Sequence, residues 1–326
     1  MSLLLTAVGL TMLLLGGTSL VRGASQIARS LNVSPIIIGL TVVAFGTSTP
    51  ELVVNITGAL RGQTDLAFGN AVGSNLANFG LVLGVAAIMS PIYLQGQVVR
   101  REVPFLLLVT AILLVMAWDQ PLTGNPSLLD RSDAIILLLL FTIFVYFITR
   151  DVRSDSSDPL TKEVEAFTPA QQDNKPLVLL ANFGFVVVGI GLLVYGGNMT
   201  IEHGSELARI LNVSDVAIGM FVVAVGTSLP ELATSAIAAY RKETDLALGN
   251  IVGSNIFNTL VVLPAAGLIS ALPIPRGGDL DLGVGFLFVL VVIPLFFFSN
   301  ARLGRTAGAG LVIAYLGYMT YRVMAS

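Results

Sequence analysis

The chain has 326 residues, of which 55% are hydrophobic and only 11% are charged, with a formal net charge of −3. Soluble domains carry about 25% charged residues, so this composition excludes an ordinary soluble protein and indicates that lipid is the solvent. The absence of cysteine excludes disulfides, thiolate metal sites and cysteine nucleophiles. We expect no enzyme activity, no cofactor and no nucleic-acid partner.

Ten stretches are apolar and long enough to cross a bilayer as helices, since a spanning helix needs about 20 mostly apolar residues. They lie near residues 3–21, 33–60, 66–89, 102–118, 133–149, 176–200, 213–240, 246–272, 282–299 and 306–323. Such long runs exclude the short alternating strands of an outer-membrane barrel. We therefore predict an all-α polytopic membrane protein with ten transmembrane helices. The first stretch is followed by Arg22 and preceded by no basic residue, the reverse of a secretory signal, so we expect it to be retained.

The sequence repeats itself at a constant offset, so that position 24 corresponds to 204 and position 46 to 226. ASQIARSLNVSPIIIG at 24–39 matches GSELARILNVSDVAIG at 204–219, and 19 of 33 positions are identical between 46–78 and 226–258. Because each half has an odd number of helices, the second enters the membrane in the opposite direction, an arrangement common in secondary transporters. We predict two inverted five-helix repeats, with the first repeat, a cytoplasmic linker and the second repeat at 1–150, 151–175 and 176–326.

The distribution of basic residues predicts the orientation, because cytoplasmic loops carry an excess of Lys and Arg. With the N-terminus outside, the inner loops hold 12 basic residues: Arg22, Arg29, Arg100, Arg101, Arg150, Arg153, Lys162, Lys175, Arg241, Lys242, Arg302 and Arg305. The outer side then holds five: Arg61, Arg131, Arg209, Arg276 and Arg322. Both termini are therefore predicted outside and the central loop in the cytoplasm.

Two carboxylates lie deep in apolar surroundings, Glu51 after TVVAFGTSTP and Glu231 after FVVAVGTSLP. A charged side chain at the centre of a membrane helix costs about 3 kcal/mol on insertion scales, so two cost about 6 kcal/mol. A protonated glutamate bonded to a neighbouring helix is the structural alternative. The presence of the same costly residue in both halves favours a functional pair.

Each glutamate directly follows a proline that should break its helix. Pro50 and Pro230 remove a backbone donor, and irregular backbone at membrane depth is tolerated only inside protein or beside a wet cavity. A kinked packing helix would explain the prolines but not the glutamates beside them. We expect broken helices with free carbonyl oxygens near Ala44, Thr47, Ala224 and Thr227.

The next helix in each half supplies amides and hydroxyls, namely Asn70, Ser74, Asn75, Asn78, Asn250, Ser254, Asn255 and Asn258. Residues four apart share a helix face, which groups Ser74 with Asn78 and Ser254 with Asn258. The candidate ligands are thus all oxygens. Calcium takes about six to eight oxygen ligands, whereas transition metals favour imidazole or thiolate. Sodium also accepts oxygen ligands, so the two ions could compete for one site.

These motifs carry a family resemblance. GTSTPE with GSNLAN, repeated as GTSLPE with GSNIFN, resembles the paired alpha-repeats of the sodium/calcium exchanger family, within the cation/calcium antiporter superfamily. The likeness covers nearly the whole chain and is strongest to the compact prokaryotic members. It implies a secondary antiporter of the inner (plasma) membrane that exchanges calcium for sodium by alternating access.

The resemblance also implies a ligand set, position by position. The calcium site would consist of two carboxylates, shared with sodium, and two backbone oxygens, those of Glu51, Glu231, Thr47 and Thr227. One flanking sodium site would be formed by Ala44, Ser48 and Ser254, and the other by Ala224, Ser228 and Ser74. Two amides would line the centre, Asn78 and Asn258.

One position departs from part of the family. Some members, notably the potassium-dependent ones, carry an aspartate where this chain has Asn258. The difference weakens the case for potassium co-transport and leaves a calcium/proton exchanger open. A cation channel is a different class of function, and the strict duplication with one glutamate per half favours a carrier instead.

Overall fold

The computed structural model describes residues 1–31, 33–93, 97–119, 124, 126–155, 175–210, 226–298 and 302–325, which are mostly helical. The helices are α1 (Ser2–Leu31), α2 (Pro35–Thr47), α3 (Thr49–Leu60), α4 (Thr64–Met89), α5 (Gln97–Met116), α6 (Arg131–Asp155), α7 (Lys175–Ile210), α8 (Leu229–Tyr240), α9 (Thr244–Ile269), α10 (Gly278–Phe298) and α11 (Arg305–Ala325). Two-residue strands lie between them: β1 (Ile92–Tyr93), β2 (Leu128–Leu129), β3 (Leu272–Pro273) and β4 (Arg302–Leu303). The predicted helical class is confirmed.

Most helix ends lie within a few residues of the predicted spans, but α1 and α7 are longer than predicted. They end at Leu31 and Ile210 rather than near residues 21 and 200. Hydropathy marks only the lipid-crossing part of a helix, whereas the last turns of α1 continue because Ala24 and Ala28 are buried against the protein. The predicted span at 213–240 is described only from residue 226 onwards, and its first part lies outside the described residues.

Within the described ranges, five helices are individually long and apolar enough to cross a membrane: α1, α4, α6, α7 and α9. The bent pair α2 and α3 counts as a sixth. The other predicted spans, near 102–118, 213–240, 282–299 and 306–323, are helical over most of their described residues but are not among these six.

The first helices of the two halves, α1 and α7, pack against each other and run antiparallel. A Cβ atom added at Gly9 would lie 2.9 Å from the carbonyl oxygen of Gly196, and one at Gly16 would lie 2.9 Å from that of Gly189. In the repeat, Gly9 corresponds to Gly189 and Gly16 to Gly196. Gly9 therefore contacts the counterpart of Gly16, and Gly16 contacts the counterpart of Gly9. Such reciprocal contacts arise from a two-fold relation, and they fit inverted repeats.

The two halves are interleaved rather than placed side by side. The end of α4 packs on α11, where a Cβ at Gly84 would lie 2.8 Å from the carbonyl oxygen of Gly308. Its equivalent α9 packs on α6, where a Cβ at Gly267 would lie 3.3 Å from the Cβ of Ala134. The strands follow the same rule, since β1 pairs antiparallel with β4 and β2 with β3. These helix and strand contacts between the halves therefore occur twice.

If the chain crosses the membrane ten times, the helix ends that contact each other lie on the same membrane face. Arg29, in the last turn of α1, pairs with Glu243 after α8 at 3.0 Å. On the other face, Arg322 near the end of α11 pairs with Asp281 near the start of α10 at 2.9 Å. The two strand pairs also obey this rule. These contacts fit ten crossings with an inverted second half.

The glycines between α1 and α7 generate a stability prediction. Gly189→Ala should lower the unfolding temperature, because its Cβ would lie 2.6 Å from the backbone nitrogen of Leu20 and 2.9 Å from the carbonyl oxygen of Gly16. Overpacking of this kind costs about 1–3 kcal/mol. The matched control is Gly191→Ala, whose Cβ meets nothing within 4 Å and which should be neutral or slightly stabilising. Thermal unfolding in one detergent compares them, and equal unfolding temperatures would contradict this packing.

Candidate ion-binding site

The helices that carry the two glutamates begin after a break at a serine. The backbone dihedrals are φ −88° and ψ 8° at Ser48, and φ −89° and ψ 7° at Ser228, so the chain turns identically in both halves. Pro50 and Pro230 occupy the first turns of α3 and α8, where a missing N–H leaves no helical hydrogen bond unmade. The predicted break is found in the first half as a 45° bend between α2 and α3.

The break does not free the carbonyl oxygen of Ala44. This oxygen accepts hydrogen bonds from the backbone N–H of Ser48 at 3.0 Å and from the hydroxyl of Thr47 at 3.3 Å. The prediction of a free oxygen there is wrong, because the turn at Ser48 retains one helical hydrogen bond and the Thr47 hydroxyl folds back. The donor that Pro50 removes is the one that would reach the carbonyl of Gly46.

The two predicted carboxylates are brought together inside the protein. Glu51 is 0% exposed and Glu231 is 1% exposed, and they lie close enough to interact electrostatically. The hydroxyl of Ser48 donates a hydrogen bond to Oε1 of Glu231 at 2.9 Å. A side chain of the first repeat therefore contacts the acidic residue of the second, so the site spans the repeat interface.

Both glutamates occupy the first turn of a helix, α3 for Glu51 and α8 for Glu231. The first N–H groups of a helix have no partner inside it, and the helix dipole adds partial positive charge at this end. The breaks therefore create the electrostatic environment that makes a buried negative charge tolerable.

The polar helices α4 and α9 each contain a π-helical turn that the sequence did not predict. These turns span Asn78–Val82 and Asn258–Val262, so each begins at one of the predicted central amides. π turns are rare and frequently occur at functional sites. Ser74 and Ser254 lie one turn earlier and are 2% and 0% exposed, while both asparagines are 0% exposed.

Many buried polar atoms around the two glutamates have no hydrogen-bond partner among the described residues. They comprise three carboxylate oxygens, four hydroxyls and two complete amides, belonging to Glu51, Glu231, Ser74, Ser228, Thr234, Ser254, Asn78 and Asn258. The large majority of buried polar atoms in proteins are hydrogen-bonded. Because most of these atoms are oxygens and two of the side chains are acidic, the cluster is suited to a cation.

A second polar layer supports the site, and sequence reasoning identified it only in part. The amide Nδ2 of Asn70 donates to Oδ1 of Asn55 at 2.7 Å, and at the equivalent place Nδ2 of Asn250 donates to the hydroxyl of Ser235 at 2.9 Å. The single proton of the Thr47 hydroxyl is shared between the carbonyl of Ala44 at 3.3 Å and Oδ1 of Asn250, the nearer acceptor, at 3.1 Å. Asn55 and Ser235 escaped notice, although each stands four residues after a glutamate and so shares its helix face.

The remaining predicted residues differ in how far the structure describes them. Thr47 and Ala44 are buried, with 1% and 0% exposure. Thr227 is half-buried at the second break, and Ala224 lies outside the described residues. In the part of the chain with described coordinates, no three His, Asp or Glu side chains cluster as a metal site. Any cation held here would therefore depend on two carboxylates supplemented by neutral oxygens.

The fold and this site define a polytopic membrane protein of two inverted repeats with a buried acidic centre between them. The sequence profile of the sodium/calcium exchanger protein family matches residues 1–150 and 181–324. The chain belongs to the sodium/calcium exchanger family.

Individual relatives span almost the entire chain. CaxA of Alkalimonas amylolytica is 37% identical over 316 residues, which cover 95% of each protein. The inner membrane protein YrbG of Escherichia coli (strain K12) is 35% identical over 322 residues, covering 97% of this chain and 94% of YrbG. Among solved structures, the sodium-calcium exchanger NCX_Mj soaked with sodium superimposes with a TM-score of 0.81 at 28% identity, covering 98% of each chain.

The hydrogen bond between the repeats generates a second stability prediction. Thr47→Val should destabilise the protein by about 1–3 kcal/mol, because it leaves Oδ1 of buried Asn250 without its donor. Thr49→Val is the control, since the exposed Thr49 hydroxyl bonds only the carbonyl of Phe45 in its own turn, and it should change stability by less than about 0.5 kcal/mol. The free energies of unfolding of both variants, measured under identical conditions, test this prediction. Equal destabilisation would show that the bond to Asn250 adds nothing.

Proposed function

We propose that this protein is a secondary active antiporter that exchanges calcium for sodium across the membrane by alternating access. The observation that carries the proposal is the pair of fully buried glutamates, Glu51 and Glu231, at the interface of two inverted repeats. Family membership supports the same function. The similarity to NCX_Mj, which is named as a sodium-calcium exchanger, supports it as well.

The chemistry of the site favours calcium among divalent ions. The candidate ligands are carboxylates, hydroxyls, amides and backbone carbonyls, and calcium accepts about six to eight such oxygens in a flexible arrangement, whereas magnesium demands a tight octahedron. Two carboxylates balance the charge of one divalent ion and so lower the cost of burying it. Other solved structures of NCX_Mj were soaked with calcium or strontium, which fits an oxygen-lined site in that protein.

We assign the residues as follows. The carboxylates of Glu51 and Glu231 bind calcium and sodium in turn, with backbone oxygens of Thr47 and Thr227 completing the calcium site. Sodium ions bind on either side, one with Ala44, Ser48 and Ser254, and the other with Ala224, Ser228 and Ser74. Two amides line the centre, Asn78 and Asn258. The carbonyl of Ala44 would have to accommodate an ion beside the two hydrogen bonds that it already accepts.

The same electrostatics explain why exchange would be obligatory. If calcium left the site and nothing replaced it, two buried carboxylates would remain uncompensated, at a cost of several kcal/mol on insertion scales. Sodium ions on the same oxygens remove that cost. The carrier therefore changes its accessible side readily only when its carboxylates are neutralised by one ion or the other.

The contact between α1 and α7 supplies a moving part. Glycines line this contact and bring the two backbones close together, and the hydroxyl of Ser19 donates to the carbonyl of Phe185 at 2.8 Å. This close packing holds the two long helices together, so they can move as a pair against the core formed by α2–α4, α8 and α9. We propose that this movement opens the site to one face at a time.

Two alternatives remain on the same fold. A calcium/proton exchanger would use the same glutamates, with protons replacing sodium. A potassium-dependent exchanger is disfavoured by Asn258, which is a neutral amide at a position where potassium-dependent members carry an aspartate. A cation channel is disfavoured by the enclosed carboxylate pair.

We also propose the orientation and location of the chain. Both termini lie outside, the linker over 151–175 lies in the cytoplasm, and the repeats occupy 1–150 and 176–326. The support is the distribution of basic residues, with 12 of 17 on the proposed inner side. The relative YrbG bears the name of an inner membrane protein, which supports a location in the inner (plasma) membrane.

Calcium flux tests the site directly. In proteoliposomes with an outward sodium gradient, the wild type should accumulate calcium, while Glu51→Gln and Glu231→Gln should fall to the level of empty liposomes. Glutamine keeps the size of the side chain but removes the charge that balances calcium. The control is Glu202→Gln, an exposed glutamate outside the site, which should transport as the wild type does.

The same vesicles show which ion gradient drives calcium uptake. Calcium uptake should follow a sodium gradient and remain unchanged when only the pH or potassium gradient is varied. Uptake driven by the pH gradient alone would establish the proton-coupled alternative. Sodium-driven uptake retained by a folded Glu51→Gln protein would refute the proposed site.

The orientation can be measured because the chain has no cysteine. A single cysteine at Ser326→Cys should react with a membrane-impermeant maleimide in intact cells. One at Asp158→Cys, in the linker, should react only after permeabilisation. The opposite labelling pattern would reverse the proposed orientation without affecting the site.

A further inference from the structure

A cavity of about 390 Å³ lies beside the C-terminal half of α1. It is lined by Arg22, Ser25 and Arg29 of α1, and by Arg241 and Glu243 in the turn after α8. The cavity therefore lies between a long helix of the first repeat and the turn that follows the glutamate-bearing helix of the second. None of these residues belongs to the proposed ion site.

The cavity has the charge and the hydrogen-bonding groups of an anion site. Three arginines and one glutamate give its lining a net charge of +2. Arg29 pairs with Glu243 at 3.0 Å, and the guanidinium of Arg22 lies 5.1 Å from the ring centre of Phe185. Arg241 forms no ion pair with a described residue. Ser25 also lines the cavity, but its hydroxyl is buried and has no hydrogen-bond partner among the described residues.

The internal repeat provides a comparison at the opposite membrane face. In the repeat, the equivalents of Arg22, Gln26 and Arg29 are Glu202, Glu206 and Arg209, and those of Arg241 and Glu243 are Arg61 and Gln63. The equivalent set has two acidic and two basic residues, so its net charge is zero. The sequence equivalents on the opposite face therefore lack the net positive charge of this cavity.

The turn after α8 contains a strained basic residue beside this cavity. Lys242 has φ 64°, in the left-handed region, whereas the equivalent turn of the first repeat places Gly62 at φ 71°. A glycine adopts this conformation freely, but a lysine does so at a cost. Such conformations persist only where the surrounding structure over-determines them, and they cluster at functional sites. A general bias toward basic inner loops would favour lysine somewhere in this loop, but it does not require this position.

We infer that this cavity binds the phosphate of an anionic membrane lipid. Arginine forks match phosphate oxygens bidentately, and Arg22, Arg29 and Arg241 all line the cavity. Basic pockets between transmembrane helices at the cytoplasmic side bind the head groups of anionic lipids. Tyr240, 76% exposed directly before Arg241, is placed as interfacial tyrosines are, which sets the cavity at head-group depth. A lipid is favoured over a free phosphate for this reason.

Native mass spectrometry of the purified full-length protein tests the inference. The protein in detergent is titrated with phosphatidylglycerol, with phosphatidylcholine or with inorganic phosphate. We expect a one-to-one phosphatidylglycerol adduct with no matching phosphatidylcholine adduct. Arg22→Gln and Arg241→Gln should each weaken it about fivefold, the loss expected for one basic residue near an anionic lipid surface. The control is Arg61→Gln, the exposed equivalent of Arg241 on the opposite face, which should leave the adduct unchanged.

Three outcomes would overturn the inference. Equal phosphatidylglycerol and phosphatidylcholine adducts would show binding by acyl chains alone. A loss in Arg61→Gln equal to that in Arg241→Gln would show a diffuse charge effect. If inorganic phosphate bound and displaced phosphatidylglycerol at equal concentration, the cavity would be a site for small anions. The variants keep both Glu51 and Glu231. Their calcium flux therefore tests the ion site independently of lipid binding.

Discussion

The structure depends on burying two carboxylates, Glu51 and Glu231, in the interior of a membrane protein. Each would be expensive in hydrocarbon, and three features lower this cost. Helix breaks at Ser48 and Ser228 place both glutamates in a first helical turn, where free N–H groups and the helix dipole favour negative charge. A serine hydroxyl from the opposite repeat reaches one of them. What remains unsatisfied is acceptor capacity, which a cation can fill.

Because of the internal repeat, both halves contribute equivalent residues to the site, but their hydrogen bonds differ. Ser48 donates to Glu231, whereas its equivalent Ser228 has no partner among the described residues. The supporting layer pairs Asn70 with Asn55 in one half but uses a serine, Ser235, in the other. Two similar halves placed in opposite directions face different compartments, so selection on each face can alter one copy without altering the other. The basic cavity beside α1 has no equally charged equivalent for the same reason.

The contact between α1 and α7 complements this acidic centre. The centre is held by hydrogen bonds that cross the repeats, such as the one from Thr47 to Asn250. The α1–α7 contact instead consists largely of close backbone approach at glycines, including Gly16 and Gly189. This close packing, with the hydrogen bond from Ser19 to the carbonyl of Phe185, joins α1 and α7 as a pair. A rigid centre beside a helix pair that moves as a unit is the mechanical requirement for exposing one site to two faces in turn.

The helical class, the internal repeat, the breaks and the identity of the two glutamates can all be predicted from the amino-acid sequence. Each follows from local chemistry, because hydrophobic length, proline and a charge in an apolar run have the same meaning in any fold. Which side chains contact each other depends on how the helices pack in three dimensions. The π turns at Asn78 and Asn258, the bond from Thr47 to Asn250 and the occupied carbonyl of Ala44 depend on how the repeats pack. Residues from opposite halves of the chain become neighbours through that packing, and no local pattern encodes their distance.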